Sequence, residues 1–293
     1  MNLPFKTPSG FLCLTFLFVA MGCSTPSAVE WITEDNLALD QLTTSGKTAL
    51  SATEIVDRAQ TNGKLKETSS DLPVFSFLRK VIITKPTDKN ATANPQTKTY
   101  QAYSNNRDQT LIKVNGRPPS PKEIEEDREK NRKRQRRFLE RNGKKGSDKM
   151  MSHNMDLYKE KFTPRLIGTE TVNARPAYLI QLKPDTNHKI KNGTVDRIMN
   201  QMLTKIWVDQ EDFQVSRLEA ELVKPIGIVV GLIGSIKTIR IRLEQQRLTP
   251  QVWTDLKIDA DFDIRILTAN YTFNMKSRSS GFKPVKAGKQ PEE

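Results

Sequence analysis

From Asp255 to Ile266 the chain alternates without a break between charge and hydrocarbon. Leu256, Ile258, Ala260, Phe262, Ile264 and Ile266 take the even positions; Asp255, Lys257, Asp259, Asp261, Asp263 and Arg265 take the odd ones. Successive side chains of a strand point to opposite faces, so this segment is a strand with one apolar and one charged face. A strand of that kind belongs to an antiparallel sheet with one side in water. At about 3.3 Å per residue it extends roughly 40 Å, too far for a small flat sheet and suited to a strongly curved one. Its apolar side, represented by Leu256, Ile258, Phe262 and Ile264, is expected to line a concave cavity. That cavity is either open or, as in small barrels, solid with side chains.

The N-terminus carries an export signal. Lys6 precedes an apolar run from Phe11 to Met21 that only Thr15 interrupts. Such a run is too short to span a bilayer and fits the hydrophobic region of a signal peptide. A net charge of +13 would point to nucleic acid in a cytosolic protein, and export removes that partner. The chain has two cysteines, Cys13 and Cys23. Cys13 leaves with the signal, so Cys23 has no intramolecular partner. The run Val19-Ala20-Met21-Gly22-Cys23 resembles a bacterial lipobox, whose cysteine is acylated and becomes the first mature residue. Ala20 stands where that pattern prefers Leu, and the other reading is an ordinary signal peptidase site with Cys23 incidental. Ser24, rather than Asp, follows the cysteine, which in the enterobacterial lipoproteins it resembles implies the outer membrane. The expected organisation is a signal peptide at 1–22, a lipid-anchored tether at 23–50, one folded domain at 51–283 and a flexible tail at 284–293. The tether is rich in Ser, Thr and Pro, and Trp31 within it packs either on the domain or at the membrane.

Ser51 and Glu54 form a capping box that opens a helix, and Ser120-Pro121 with Glu123 opens a second one reaching about Arg141. The second helix is polar all round except for Ile124, Phe138 and Leu139, with acids leading and bases following, which complements the helix dipole. It is either a solvated helix or a contact for an anionic surface. Strands are expected over 74–84, 98–104 and 110–114, with a turn at Asn115-Gly116. Met151, Met155, Tyr158 and Phe162 recur at helical spacing and mark a stripe that is core or cargo site. Two hairpins follow, turning at Asn173-Ala174-Arg175 and at Gln210-Glu211-Asp212, with a bulge between Val215 and Leu218. A short helix is expected over 194–202. Ile228, Val229, Val230, Leu232 and Ile233, in a Gly-interrupted apolar connection from Ile226 to Ile236, either plug the core or form a greasy tip for membrane or partner. Strands at 237–243 and 268–275 complete the sheet, and from Lys276 the chain reads as loose.

GTETVNARPAYLIQLKP followed by KIWVDQEDFQVSRLEAEL resembles the outer-membrane lipoprotein-sorting superfamily, the carriers and receptors of LolA and LolB type. The NGRPPSPKEIEEDREKNRKR helix is similar to one in the uncharacterised exported bacterial members of that superfamily. The resemblance covers roughly residues 51 to 275 and implies an α+β fold: a curved antiparallel sheet, an unclosed half-barrel, with helices over its concave side. It further implies an apolar cavity for membrane lipid or lipoprotein acyl chains, and a role in envelope lipoprotein or lipid trafficking. A lipidated Cys23 suits the receptor type, whereas the charged helix is foreign to the known carrier and receptor. The other function class is an envelope sensor or protein-interaction module that uses the same fold with a protein partner.

Chemistry-bearing motifs point away from catalysis. His153 and His188 have no Cys, His or acid cluster at ligand spacing, so neither a metal nor a catalytic site is expected. No phosphate loop or nucleophile elbow occurs. The chain is therefore read as a binding protein rather than an enzyme, without a cofactor.

Overall fold

The computed structural model describes residues 50–68, 72–84, 95–104, 109–142, 162–184, 194–229, 233–266 and 269–285. The signal segment, Cys23, the tether with Trp31 and the Met151-to-Tyr158 stripe lie outside them. Two reciprocal caps begin the first two helices of the described residues. Ser51 N–H donates to Glu54 Oε2 at 2.8 Å while Glu54 N–H donates to Ser51 Oγ at 3.2 Å, opening α1 (Ala52–Thr68). Ser120 and Glu123 repeat the exchange at 2.8 and 3.3 Å, opening α2 (Pro121–Asn142). Each pair satisfies two donors that the first helical turn leaves unpaired. A third helix, α3 (Thr194–Met199), is a single short piece.

The strands are β1 (Phe75–Thr84), β2 (Gln96–Tyr103), β3 (Gln109–Val114), β4 (Phe162–Val172), β5 (Arg175–Pro184) and β6 (Met202–Asp209). They continue as β7 (Val215–Leu222), β8 (Ile226–Val229), β9 (Ile233–Arg247), β10 (Trp253–Ile266) and β11 (Ala269–Pro284). All join one antiparallel sheet in the order β3-β2-β1-β11-β10-β9-β7-β6-β5-β4, with β8 pairing β9 off that path. Among the described residues the sheet does not close: β3 and β4 are its two edges, and the chain between them passes through α2. From β4 onward the strands meander to β11, which then pairs with β1.

Tight turns fit their residues. Asn115 and Gly116 take φ of 50° and 85°, and Asn173 and Ala174 take 48° and 61°. Both are two-residue connections with φ above zero, the geometry that matches strand twist. Ala174 is an uncommon residue there, since its Cβ crowds the left-handed region. Ser216 is the extra residue between the pairs Trp207–Arg217 and Val208–Val215, so the change of apolar phase in that strand is a bulge.

Several expectations are corrected. Phe162 opens β4 and packs beneath α1 instead of continuing a helical stripe. α3 stops at Met199 and Met202 begins β6. The run from Ile226 to Ile236 is no loose connection, because Ile226 pairs with Ile236 and Val229 with Ile233 in a hairpin. The segment after Lys276 is ordered strand to Pro284. Its alternation is of Ser and base rather than hydrocarbon and charge: Ser277 and Ser279 are buried, and Lys276, Arg278 and Ser280 are exposed. Hydroxyls small enough to lie beneath neighbours replace the apolar signal. The charged face of β10 is also less uniform than alternation implies. Asp259 is buried beneath Arg278, whose Nη2 donates to it at 2.7 Å. Leu256 is an extra residue between the pairs Asp255–Gln245 and Lys257–Glu244. That bulge turns Asp255 onto the opposite face, where it meets Gln245 and Arg79.

One corner bends the sheet. On a flat sheet β5 and β9 would stand about 14 Å apart. Here Asn173, in the turn before β5, donates to the Gln245 carbonyl of β9 at 2.9 Å. The β6–β7 turn fills the angle. Asp209 accepts from Arg175 Nε and Nη2 at 2.6 and 2.8 Å and from the Asp212 N–H at 2.8 Å. Asp212 accepts from Arg247 Nε at 2.7 Å and Trp253 Nε1 at 2.9 Å. Burial pushes the Asp209 carboxyl up, but Arg175 and the backbone donor outweigh it and hold it below the ordinary aspartate value. Arg175 is raised by the same bonds.

Asp209→Asn should therefore destabilise the fold by about 3 kcal/mol, the usual cost of breaking a buried pair on one side. A carboxyl depressed in the native state stabilises fully above its unfolded value and loses that contribution as pH falls through the native one. Urea unfolding of the wild type should weaken as the medium is acidified, and the variant's curve should be flatter, so the two converge in acid.

Candidate ligand trough on the concave face

Residues paired across neighbouring strands share a face, and this orders the concave side into rows. One row runs Val81, Ser277, Ile258, Leu243, Leu218, Ile206. The next runs Ile83, Met275, Ala260, Ile241, Ala220. Helices cover one half. Ile55, Val56 and Ala59 of α1 pack on Ile180, Leu182, Ile206 and Val208, and Ile198 of α3 joins Met202, Ile239 and Phe262. At the other end α2 is pinned by a buried acid: Asp127 pairs with Lys98 and accepts from Tyr100 Oη at 3.1 Å. Between these covers Val81, Ile83, Ile258, Phe273 and Met275 remain half-buried. That band, over β1, β11 and β10, is the candidate trough.

The expected lining divides accordingly. Phe262 and Ile264, 2% and 8% exposed, belong to the packed core. Ile258 lies half-buried in the trough, and Leu256 is half-buried at its bulge. Ile228 and Val229 fall in β8 and Ile233 at the start of β9, with Val230 and Leu232 outside the described residues. Cys23 is outside them too.

Alternation in β10 does not reveal the polar end of the trough. Arg79 and Asp255 approach to 3.8 Å across β11, and Arg79 Nη1 donates to Gln109 Oε1 at 3.4 Å across β2. The sequence does carry a signal for Arg79. Phe75, Phe77, Arg79, Val81 and Ile83 share one parity, so a cation interrupts an otherwise apolar face. Asp255 carries none, since only the bulge brings it there.

The convex face is a lattice of opposite charges. Arg242 Nε donates to Glu219 at 2.5 Å, Arg240 to Glu221 at 2.8 Å and Lys257 to Glu244 at 2.6 Å. Burial pushes the Glu219 carboxyl up, and the flanking Arg217 and Arg242 bring it below the ordinary value. On α2, Glu123 is held down to about 2 by Arg117 and the Ser120 N–H. Glu125, Glu126 and Glu129 pair with Arg132, Lys130 and Lys133. Three acids of the helix thus meet bases of the same helix, as on a solvated one.

No family model matches the sequence, and no curated protein matches it. Among solved structures, the chain is similar to the LolA superfamily protein NE2245 from Nitrosomonas europaea, at 10% identity over 81% of this chain and 95% of that one, TM-score 0.26. It is similar to a DUF1329 family protein from Desulfovibrio piger at 8% identity, covering 83% and 96%, TM-score 0.27. The Pseudomonas aeruginosa MucA/MucB complex gives 8% identity, 80% and 99%, TM-score 0.24. At TM-scores this low these likenesses add no argument, and the unclosed half-barrel stands on its own strand order.

Proposed function

We propose that this chain is an exported bacterial lipoprotein, anchored through Cys23 in the outer membrane and facing the periplasm. In this reading its concave trough binds acyl chains of membrane lipids or lipoproteins during envelope trafficking. The observation that carries it is the band of half-buried Val81, Ile83, Ile258, Phe273 and Met275, left between the helices on the face that elsewhere forms the core. Burying hydrocarbon there yields about 0.8 kcal/mol per methylene. Association costs at least about 4 kcal/mol, so the trough suits a long chain and not a short apolar solute. The β8–β9 hairpin supplies the second part of the reading. Its base is core, with Ile226 and Ile236 buried, and its apolar tip from Ile228 to Ile233 is proposed as the membrane or partner contact.

Native mass spectrometry of the mature protein tests the cargo. A co-purifying lipid is expected. A chain without one would sink this reading in favour of an envelope protein-interaction module. Cys23→Ala should move the protein from the membrane fraction to the soluble periplasm, and retention through carbonate and salt washes would refute the anchor. Replacing Val230 and Leu232 together with Glu should leave the melting temperature unchanged and lower vesicle binding by the unlipidated chain. A collapse in stability would make the tip core instead.

A further inference from the structure

Arg79 sits on the floor of the trough, its guanidinium carbon 5.3 Å from the centre of the Phe77 ring, with its N–H donors poorly met. Its cross-strand neighbours are Ser279 and Tyr100, and Val81 lies two residues on along the same face. A guanidinium offers five N–H donors. Of these, Nη1 reaches Gln109 at 3.4 Å, beyond the usual N–H···O range. Nη2 lies 3.8 Å from Asp255, and Nε is buried without a hydrogen-bond partner. Other arginines of the sheet bond tightly: Arg175 to Asp209 at 2.6 Å, Arg247 to Asp212 at 2.7 Å, Arg240 to Glu221 at 2.8 Å. Leaving a charged donor buried and unmet is unfavourable, and a fold that pairs arginines so closely elsewhere leaves this one poised beside an apolar band. Asp255 is a weak counter-ion, its own closer contact being Gln245 Nε2 at 3.2 Å.

We propose that Arg79 is the head-group site of the trough, pairing with the carboxylate of a long-chain fatty acid whose hydrocarbon lies along Val81, Ile258 and Met275. This rests on the acyl-chain reading above and adds the chemistry of the ligand's polar end. A planar carboxylate matches the guanidinium fork with two parallel bonds and displaces Asp255 from its longer contact. The 25% exposure of the Arg79 side chain leaves the group reachable.

The test uses the full chain carrying Cys23→Ala and two fluorescent probes that differ only in charge, dansylamino-undecanoic acid and its methyl ester. The wild-type trough should bind the acid about tenfold more tightly than the ester, the effect of one charge-assisted bond. Arg79→Met should bring the acid down to the ester's affinity, leave the ester unchanged and nearly keep the melting temperature, since a thioether replaces the cation over the Phe77 ring and no buried donor is left unmet. Asp255→Asn should widen the preference by removing the competitor. Equal binding of acid and ester by the starting protein, or a preference that survives Arg79→Met, overturns the head-group site while the trough stands. If neither probe binds, the trough falls and the head-group site with it.

Discussion

Curvature depends on the acids of a single turn. Asp209 and Asp212, with Glu211 between them, draw Arg175, Arg247 and Trp253 onto the β6–β7 turn from strands that a flat sheet would hold well apart. Without that corner β4 and β5 would splay outward and α1 would lose half of the surface it packs on. The concave face, its helical covers and the uncovered band between them all follow from the bend. A buried carboxylate in such a place adds no net stability over a well-packed hydrocarbon. What it contributes is direction, because two aspartates accept from Arg175, Arg247 and Trp253 on three different strands.

The charged convex face completes the same logic from the other side. Opposite signs alternate across β7, β9 and β10: Arg217, Glu244 and Lys257 form one row, Glu219, Arg242 and Asp259 the next, and Glu221, Arg240 and Asp261 a third. Pairs half in water are worth little individually, yet a two-residue slip would set like charges opposite one another, while a one-residue slip would turn Ile239 and Phe262 outward. Register is thereby specified twice, by burial on one face and by sign on the other.

Much of this was legible because it is local. Capping boxes, two-residue turns and the bulge at Ser216 are written in adjacent residues, and β10 announces its faces by alternation. The part that was not legible depends on partners distant in sequence. Ser277, Ser279 and Gly281 give β11 no apolar period; its far half is strand because β1 lies beside it, with Phe282 against Phe77 at 5.2 Å. The apolar run at 226–236 has a composition that suits a loop, a plug or a hairpin, and only pairing with the start of β9 decides. In the candidate trough the lining from β10 was readable. The polar end was not, because a single inserted residue, Leu256, moves Asp255 across the sheet.

The seam between β1 and β11 sets the order in which such a chain can finish folding. β1 leaves the ribosome roughly two hundred residues before the strand that pairs its second side, a separation that makes closure slow. Until then β1, β2 and β3 are a three-stranded fragment with an open edge and an unprotected apolar face, a state prone to pair with other chains. In chain order the seam ends at Val285, whose N–H donates to the Val74 carbonyl at 2.8 Å. A chain built this way keeps an open edge until its final strand is made. It also places its greatest need for a chaperone in the interval before its final strand arrives.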